Sequence, residues 1–294
     1  MNNNFDIIIP VAYKDFSFLP KTIKYISQNI SPEKIFIILD LRLKHYIPRV
    51  VTRIPNVTLV DENKLAPNIT YNKIKELLKK NGSSYNRAGW FLQQFIKLGF
   101  AQSQLCQKEF YLSWDADTLP LRPISFFSDE GNPFFSLKKE HHEAYFETLS
   151  KLFTFEQTAN ESFIAEHMMF KRSIVCEMIR KIETTPIKGN NWIEKIIYAT
   201  NPNEINSFSE FETYGNYCLN YHHDVYQQRI LNSFRKAGYI AGRFINDKRL
   251  HYLGFDLDTA SFELGDYPCG FMKYICFIYH MYLKTKGSII KKII

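Results

Sequence analysis

Short apolar runs alternate with stretches of helical spacing along the chain. Residues 5–11 (FDIIIPV), 34–40 (KIFIILD) and Val57–Asp61 (VTLVD) are brief, rich in β-branched residues and free of polar alternation. Runs of that length and composition predict strands buried on both faces, as in a parallel sheet. Leu19–Asn29 separates the first two and has helical spacing, so βαβ winding is expected at the start of the chain. Tyr71–Lys80 predicts a helix stopped by Asn81-Gly82. Residues 86–104 predict a stronger one, with Trp90, Phe91, Gln94, Phe95, Leu98 and Ala101 recurring at three and four along one face. Residues 109–114 (EFYLSW) then predict a strand that runs directly into Asp115-Ala116-Asp117-Thr118, after which Pro120 and Pro123 are expected to interrupt regular structure.

The second half predicts strands over 133–137, 162–171 and 238–245. It predicts helices over 140–153, from near Ser173, over Trp192–Ala199 and over Glu210–Tyr221. Neither an internal repeat nor a low-complexity linker divides the chain. The expectation is one α/β domain over residues 1–260, a mostly parallel sheet flanked by helices in the Rossmann-like manner, with a helical acceptor-side region towards its C-terminal end. A basic amphipathic tail follows over 261–294.

Composition narrows the classes. With 45% hydrophobic and 23% charged residues, the chain has enough apolar matter for a core, and a disordered protein is excluded. The net charge of +7 suits a partner that carries phosphate. From Gly270 onward there is no acidic residue, while Lys273, Lys284, Lys286, Lys291 and Lys292 all fall there, so much of the excess sits on the tail. The five cysteines are odd in number and form no C-x-x-C pair, which fits reduced thiols in a cytoplasmic setting better than a disulfide framework or a zinc knuckle. Residues 1–6 lack the basic start and apolar run of a signal peptide, and no stretch reaches the ~18 apolar residues of a membrane span.

The residues with most chemical content are Asp115 and Asp117. Residues two apart in a strand point the same way, so just past a strand end two carboxylates can converge on one hard cation. Mg²⁺ and Mn²⁺ prefer oxygen ligands and keep positions open for substrate phosphates, and ligands of open α/β sheets bind at the carboxyl ends of strands. A bare D-x-D also describes a solvated acidic turn. Its place after an apolar strand and three earlier strands favours a metal site. No G-x-G-x-x-G or G-x-x-x-x-G-K-[ST] follows the first strand, which disfavours a dinucleotide-binding or P-loop enzyme.

The helix text RAGWFLQQFIKL (residues 87–98), the strand end SWDADT (113–118) and the later SEFETYGNY (209–217) together resemble a bacterial family of GT-A-type glycosyltransferases from capsule and lipopolysaccharide gene clusters. The resemblance runs in order over about residues 5–252. It implies a GT-A-like fold and transfer of a sugar from a nucleotide sugar, UDP being the commonest nucleotide, to a saccharide or lipid-linked saccharide acceptor with Mn²⁺ or Mg²⁺. It implies that Asp115 and Asp117 hold metal and diphosphate beside Trp114, and that Pro10, Val11 and Ala12 line the nucleoside pocket. Arg87 would open the long helix as a cation towards phosphate, with Gln94 and Lys97 further along. Trp90 reads as core. A His late in such folds often completes the metal site, which makes His251 the candidate; His222 and His223 lie in a polar stretch.

Inverting transfer requires a base for the acceptor hydroxyl. Glu212 is the first candidate and Glu210 the second, although acids behind Ser209 also suit a capped helix start. Glu166, beside His167, is the rival. The tail, with its lysines and aromatic residues, suits an amphipathic segment on anionic lipid at the inner face of the cytoplasmic membrane, or a last helix packed on the domain. A nucleic-acid-binding protein would need basic and aromatic residues interleaved on one face, which the sequence lacks. A metal-dependent nucleotidyltransferase and a catalytically inactive sugar-nucleotide-binding relative remain as alternatives.

Overall fold

The computed structural model describes residues 4–155 and 161–293, with side chains to residue 290. In chain order the elements are β1 Asp6–Pro10, α1 Leu19–Asn29, β2 Ile35–Leu39, α2 Arg49–Thr52, β3 Val57–Asp61, α3 Tyr71–Lys80, α4 Ala88–Gly99, β4 Phe110–Trp114 and β5 Thr118–Pro120. They continue with β6 Phe134–Ser136, α5 Glu143–Leu152, β7 His167–Lys171, α6 Arg172–Glu183, α7 Trp192–Ala199 and α8 Glu210–Tyr221. The last are β8 Gln227–Arg229, β9 Ser233–Phe234, α9 Gly238–Ala241, α10 Asp247–Leu253, β10 Thr259–Ser261 and α11 Phe271–Ile293.

The central sheet has five strands in the order β3-β2-β1-β4-β7, is mostly parallel, and is flanked by helices. β1 and β2 are buried at every position and pair in parallel, Ile7 opposite Ile35 and Pro10 opposite Ile38. Their unbroken apolar text has this cause: a strand with both faces covered has no polar side to show. β5, β10 and β9 form a second sheet, and β6 pairs with β8.

The chain divides into two units, each assembled from separated stretches. One takes the residues up to Phe5, Asp61–Ser113 and Phe126–Ile230; the other takes Asp6–Val60, Trp114–Ser125 and Leu231–Ile294. The first has a core dense in rings. Phe135 stacks on Tyr226 at 3.8 Å between centroids, Tyr111 stacks on Phe170 at 5.2 Å, and the hydroxyls of Tyr214 and Tyr226 lie 2.6 Å apart. Those hydroxyls are not left stranded. Tyr226 donates to the Met169 carbonyl at 3.1 Å, and the Lys171 amide donates to Tyr214 at 2.9 Å, so β7 satisfies the buried phenols. The second unit centres on Phe18, Leu119, Leu250, Ala260 and Phe262, which bring α1, β5, α10 and β10 around one apolar cluster.

Four sequence expectations need correction. Residues 238–245 are not a strand: 238–241 form the short helix α9 and 242 turns the chain out of it. Thr118–Pro120 is a strand, because Pro120 ends it and gives up no ladder hydrogen bond there. The strand expected over 162–171 is confined to His167–Lys171, and the helix expected over 86–104 ends at Gly99 and continues as a 3₁₀ turn.

Gly215 marks a tight helix contact in the first unit. A Cβ there would lie 2.2 Å from Cγ of Phe163, a side chain with no exposure. Alanine ordinarily stabilises a helix interior over glycine by about 1 kcal/mol. Here Gly215→Ala is expected to destabilise instead, by about 1–3 kcal/mol through overpacking, read as a lowered urea midpoint at unchanged slope.

Candidate functional site: an acidic turn clamped by one arginine

All parts of the acidic site lie in the second unit. β4 ends at Trp114, and Asp115-Ala116-Asp117 turns the chain into β5. Each carbonyl of that turn is tied down. The Thr118 amide donates to the Asp115 carbonyl at 3.1 Å, Thr22 Oγ1 on α1 donates to the Ala116 carbonyl at 2.6 Å, and the Phe262 amide donates to the Asp117 carbonyl at 2.9 Å. The Trp114 indole donates to the Thr118 carbonyl at 2.9 Å, and Thr118 Oγ1 meets Ser261 Oγ at 2.7 Å. Ala116 is 6% exposed and turns its methyl inward, whereas Asp115 and Asp117 on either side are half-buried. A backbone held at each carbonyl presents its carboxylates without a further ordering cost.

Opposite the turn stands a residue the sequence reading missed. Arg243 is 9% exposed, and its guanidinium spans three segments. Nε donates to the Phe262 carbonyl at 2.7 Å, Nη1 to the Lys14 carbonyl at 3.2 Å, and Nη2 to Asp15, with Asp117 Oδ2 at 3.8 Å from the same nitrogen. The guanidinium also lies over the Phe18 ring at 5.3 Å. Gly242 sets up this placement. It holds φ at +62°, and a Cβ there would press on Cys276 Sγ at 2.9 Å, so a side chain is excluded on both counts. Asp15, in the 3₁₀ turn after β1, is the second missed residue, with a side chain only 6% exposed. The expected nucleoside loop stopped at Ala12, three residues short. The available signal was an acid-bearing turn directly after the first strand, and a Gly-Arg step late in the chain.

Asp15 and Asp117 thus share a single buried cation, and Asp115 lies near enough to act on Asp117 through its charge. The consequence falls on Asp117. Burial, then the charge of Asp15, then that of Asp115 push its carboxyl up to about 7, against the pull of Arg243 and Lys14. These oxygens fit a hard divalent ion. Among the described residues no group of three or more His, Cys, Asp or Glu converges to hold a metal. An ion here would take its remaining ligands from water or from a substrate's phosphates, as Mg²⁺-type sites do.

The other expected residues fall as follows. Pro10 and Val11 are buried at the end of β1, the Val11 amide donating to the Ile38 carbonyl at 2.9 Å, and Ala12 leads into the turn that carries Asp15. The third metal ligand expected at His251 is not delivered. The segment is helical (α10, capped by Asn246 Oδ1 accepting from the Arg249 amide at 2.9 Å), so Leu250 enters the core and His251 faces out, its ring 5.0 Å from that of Phe255.

Glu166, Glu210, Glu212, Arg87 and Gln94 belong to the first unit. Ser209 caps α8 by accepting from the Glu212 amide, as the sequence predicts. Because α8 is buried through Cys218, its acids lie inside and need partners. Glu210 forms an ion pair with Lys97 at 2.8 Å, both side chains under a tenth exposed, and its amide donates to Gln94 Oε1 at 3.1 Å. Glu212 has no exposure. Its Oε2 accepts from Ser162 Oγ at 2.8 Å and from the Phe163 amide at 3.1 Å, and burial raises its pKa. Glu166 is buried with Lys138 Nζ at 3.5 Å. His167 shares a hydrogen bond with Ser136 Oγ at 3.0 Å and is held neutral by burial and by Arg229 and Lys138. The three base candidates are therefore enclosed in internal contacts. Arg87 stacks on Trp90 at 4.7 Å and donates to Asn206; its Nε and the Nε2 of Gln94 are buried without a hydrogen-bond partner.

Residues 3–241 match the family of unknown function DUF6492. No curated protein matches the chain. Among solved structures, the galactosyltransferase LgtC in complex with donor and acceptor sugar analogs is similar at TM-score 0.43 and 11% identity, over 96% of each chain. Mouse xyloside xylosyltransferase 1 is similar at TM-score 0.46 and 8% identity, over 90% of this chain and 98% of that one. The mannosyltransferase Ktr4p from S. cerevisiae in complex with GDP is similar at 0.41 and 10%, over 68% and 67%. Likeness at this level assigns no reaction and no residue role.

Crowding at Asp117 has a measurable consequence. A carboxyl raised from 3.8 to about 7 on folding keeps a proton that the unfolded chain gives up. Stability in chelator is therefore expected to fall as pH rises across that window. Urea midpoints taken from pH 5 to 8 should show the fall in the native chain and a flatter profile in Asp117→Asn.

Proposed function

We infer, for a chain that belongs to the DUF6492 family, that it is a glycosyltransferase which takes a sugar from a nucleotide-sugar donor with the help of Mn²⁺ or Mg²⁺ at Asp115 and Asp117. The observation that carries this reading is the placing of Asp15 and Asp117 at one guanidinium, with the charge of Asp115 acting on Asp117, on a turn whose three carbonyls are each hydrogen-bonded. Such a site carries excess negative charge until a cation arrives, and its two D-x-D carboxylates leave the remainder of an ion's coordination to phosphate oxygens. The bound ion would neutralise charge on the departing diphosphate. The chain's own residues then have distinct tasks. Asp115 and Asp117 orient the ion, Arg243 keeps Asp15 and Asp117 from repelling each other apart, and Thr22 and the Phe262 amide hold the turn. Pro10, Val11 and Ala12 border the nucleoside, whereas Trp114, which has no exposure, packs behind the turn instead of meeting the donor, and Arg87 and Gln94 are engaged within the first unit by Trp90, Asn206 and the Glu210 amide.

The finer parts of the reading rest on the motifs RAGWFLQQFIKL, SWDADT and SEFETYGNY. They support UDP as the nucleotide, a saccharide or lipid-linked saccharide as acceptor, and a place in bacterial capsule or lipopolysaccharide synthesis in the cytoplasm. An inverting course needs a base open to the acceptor hydroxyl. The enclosure of Glu166, Glu210 and Glu212 gives that course no support from these three residues.

One observation favours a second reading. The Arg243 guanidinium already stands 3.8 Å from Asp117, and no third protein ligand converges among the described residues. A permanent internal counter-cation in place of a metal would fit a catalytically inactive sugar-nucleotide-binding relative. Donor hydrolysis separates the two. A panel of nucleotide sugars is incubated with the enzyme, with and without Mn²⁺, and nucleoside diphosphate release is followed. The transferase reading expects Mn²⁺-dependent release for one donor, reduced at least about 100-fold in Asp117→Ala while the circular dichroism spectrum is kept. Native-level release by Asp117→Ala, or no release from any donor, defeats it. Calorimetry adds a second check: Mn²⁺ alone should bind weakly, and much more tightly once UDP is present.

A further inference from the structure

One side of the second unit's last helix packs on that unit, and the other is left without a partner among the described residues. α11 is anchored along a narrow stripe: Cys276, Leu283 and Ile290, seven residues apart, are 6%, 6% and 5% exposed. On the same side Tyr279 donates to Ser17 Oγ at 2.5 Å, His280 bonds to Tyr267, and Gly287 sits against the Tyr13 ring, where a Cβ would approach Cδ1 to 3.3 Å. A helix so anchored ordinarily turns polar residues to solvent. This one turns out Phe271, Tyr274, Ile278, Met281, Tyr282 and Ile289, all between 43% and 77% exposed. The apolar area does not stop at the helix. Phe244, 48% exposed, meets the Tyr279 ring at 5.2 Å, and Tyr239 and Ile240 on α9 are 50% and 71% exposed.

Charge identifies the occupant. At ~100° per residue, Lys273 and Lys284 are exposed on one border of the apolar face, and Lys291 follows at the same seven-to-eleven spacing in the sequence. No acid occurs from Gly270 onward. A second copy of this chain would bring the same uncompensated lysines against these, and like charges would oppose the pairing. A surface that takes up apolar side chains and rewards flanking cations is that of an anionic bilayer. The helix has 23 residues, roughly 34 Å, yet no helix among the described residues is apolar enough to cross a membrane. It would lie in the interface with its Tyr and Phe rings at headgroup level.

We propose that α11, continued by Phe244 and α9, is a membrane-surface docking face that places the second unit flat on an anionic lipid leaflet. The inference goes beyond sugar transfer and stands without it: a chain that transfers nothing would still dock.

Co-sedimentation of the full chain with vesicles of phosphatidylcholine, with and without phosphatidylglycerol, tests it. Binding is expected to the anionic vesicles only, and to weaken as salt rises. Lys273→Gln with Lys284→Gln should lose roughly 30-fold in partitioning. Tyr274→Ser with Ile278→Ser, at exposed positions, should lose binding with an unchanged thermal midpoint, and hydrolysis of a free donor should be left as it was. Equal binding to neutral and anionic vesicles overturns the proposal, as does native binding by both variants. It is also overturned if the serine variant's only effect is to abolish a concentration-dependent dimer seen by light scattering. A chain that fails the donor-hydrolysis test yet binds anionic vesicles leaves this proposal intact and removes only the transferase reading.

Discussion

Like-charge repulsion among Asp15, Asp115 and Asp117 is the constraint on which the second unit is built. Three carboxylates packed near one another would separate if the chain allowed it. The fold does not allow it, because the turn between β4 and β5 is bonded at each carbonyl to a different element, and Arg243 draws Asp15 and Asp117 towards one guanidinium. Burial first, and then the repulsion that remains, raise the proton affinity of Asp117. The turn therefore holds its negative charge in place through contacts with the rest of the unit.

The first unit solves a different problem, that of polar groups inside a core rich in rings. Lys97 with Glu210, Glu212 with Ser162 and the Phe163 amide, and Tyr214 with Tyr226 and β7 are each a buried group given a specific partner. Breaking one half of such a pair leaves the other uncompensated, at a cost of about 3–5 kcal/mol for a buried ion. The SEFETYG segment is therefore accounted for as structure before any catalytic role is needed. The docking face on α11 is the reverse case, apolar surface that the fold leaves outside.

The parts of the fold legible beforehand were those in which one local rule dominated. β3, α1, α3, α7 and α8 occur at the bounds that apolar runs, helical spacing, Asn81-Gly82 and the Ser209 cap imply. Residues 238–245 misled because Tyr, Ile and Phe favour strands in isolation, whereas Gly242, at positive φ and set against Cys276, ends a short helix there. His251 was expected at the metal as a His late in the chain; in helix α10 the 3.6-residue period sends Leu250 inward and His251 outward. Asp15 and Arg243 could not be paired from text, since 228 positions separate them.

From its own order of residues the chain determined its α/β class, the turn bearing Asp115 and Asp117, and the acid-free basic tail, because each depends on neighbours within a few positions. Tertiary structure alone decided which charges share a site, which acids are enclosed, and which side of α11 meets solvent. Those outcomes depend on distances between residues remote in sequence and on the dielectric that burial creates around them, and neither is written in local periodicity.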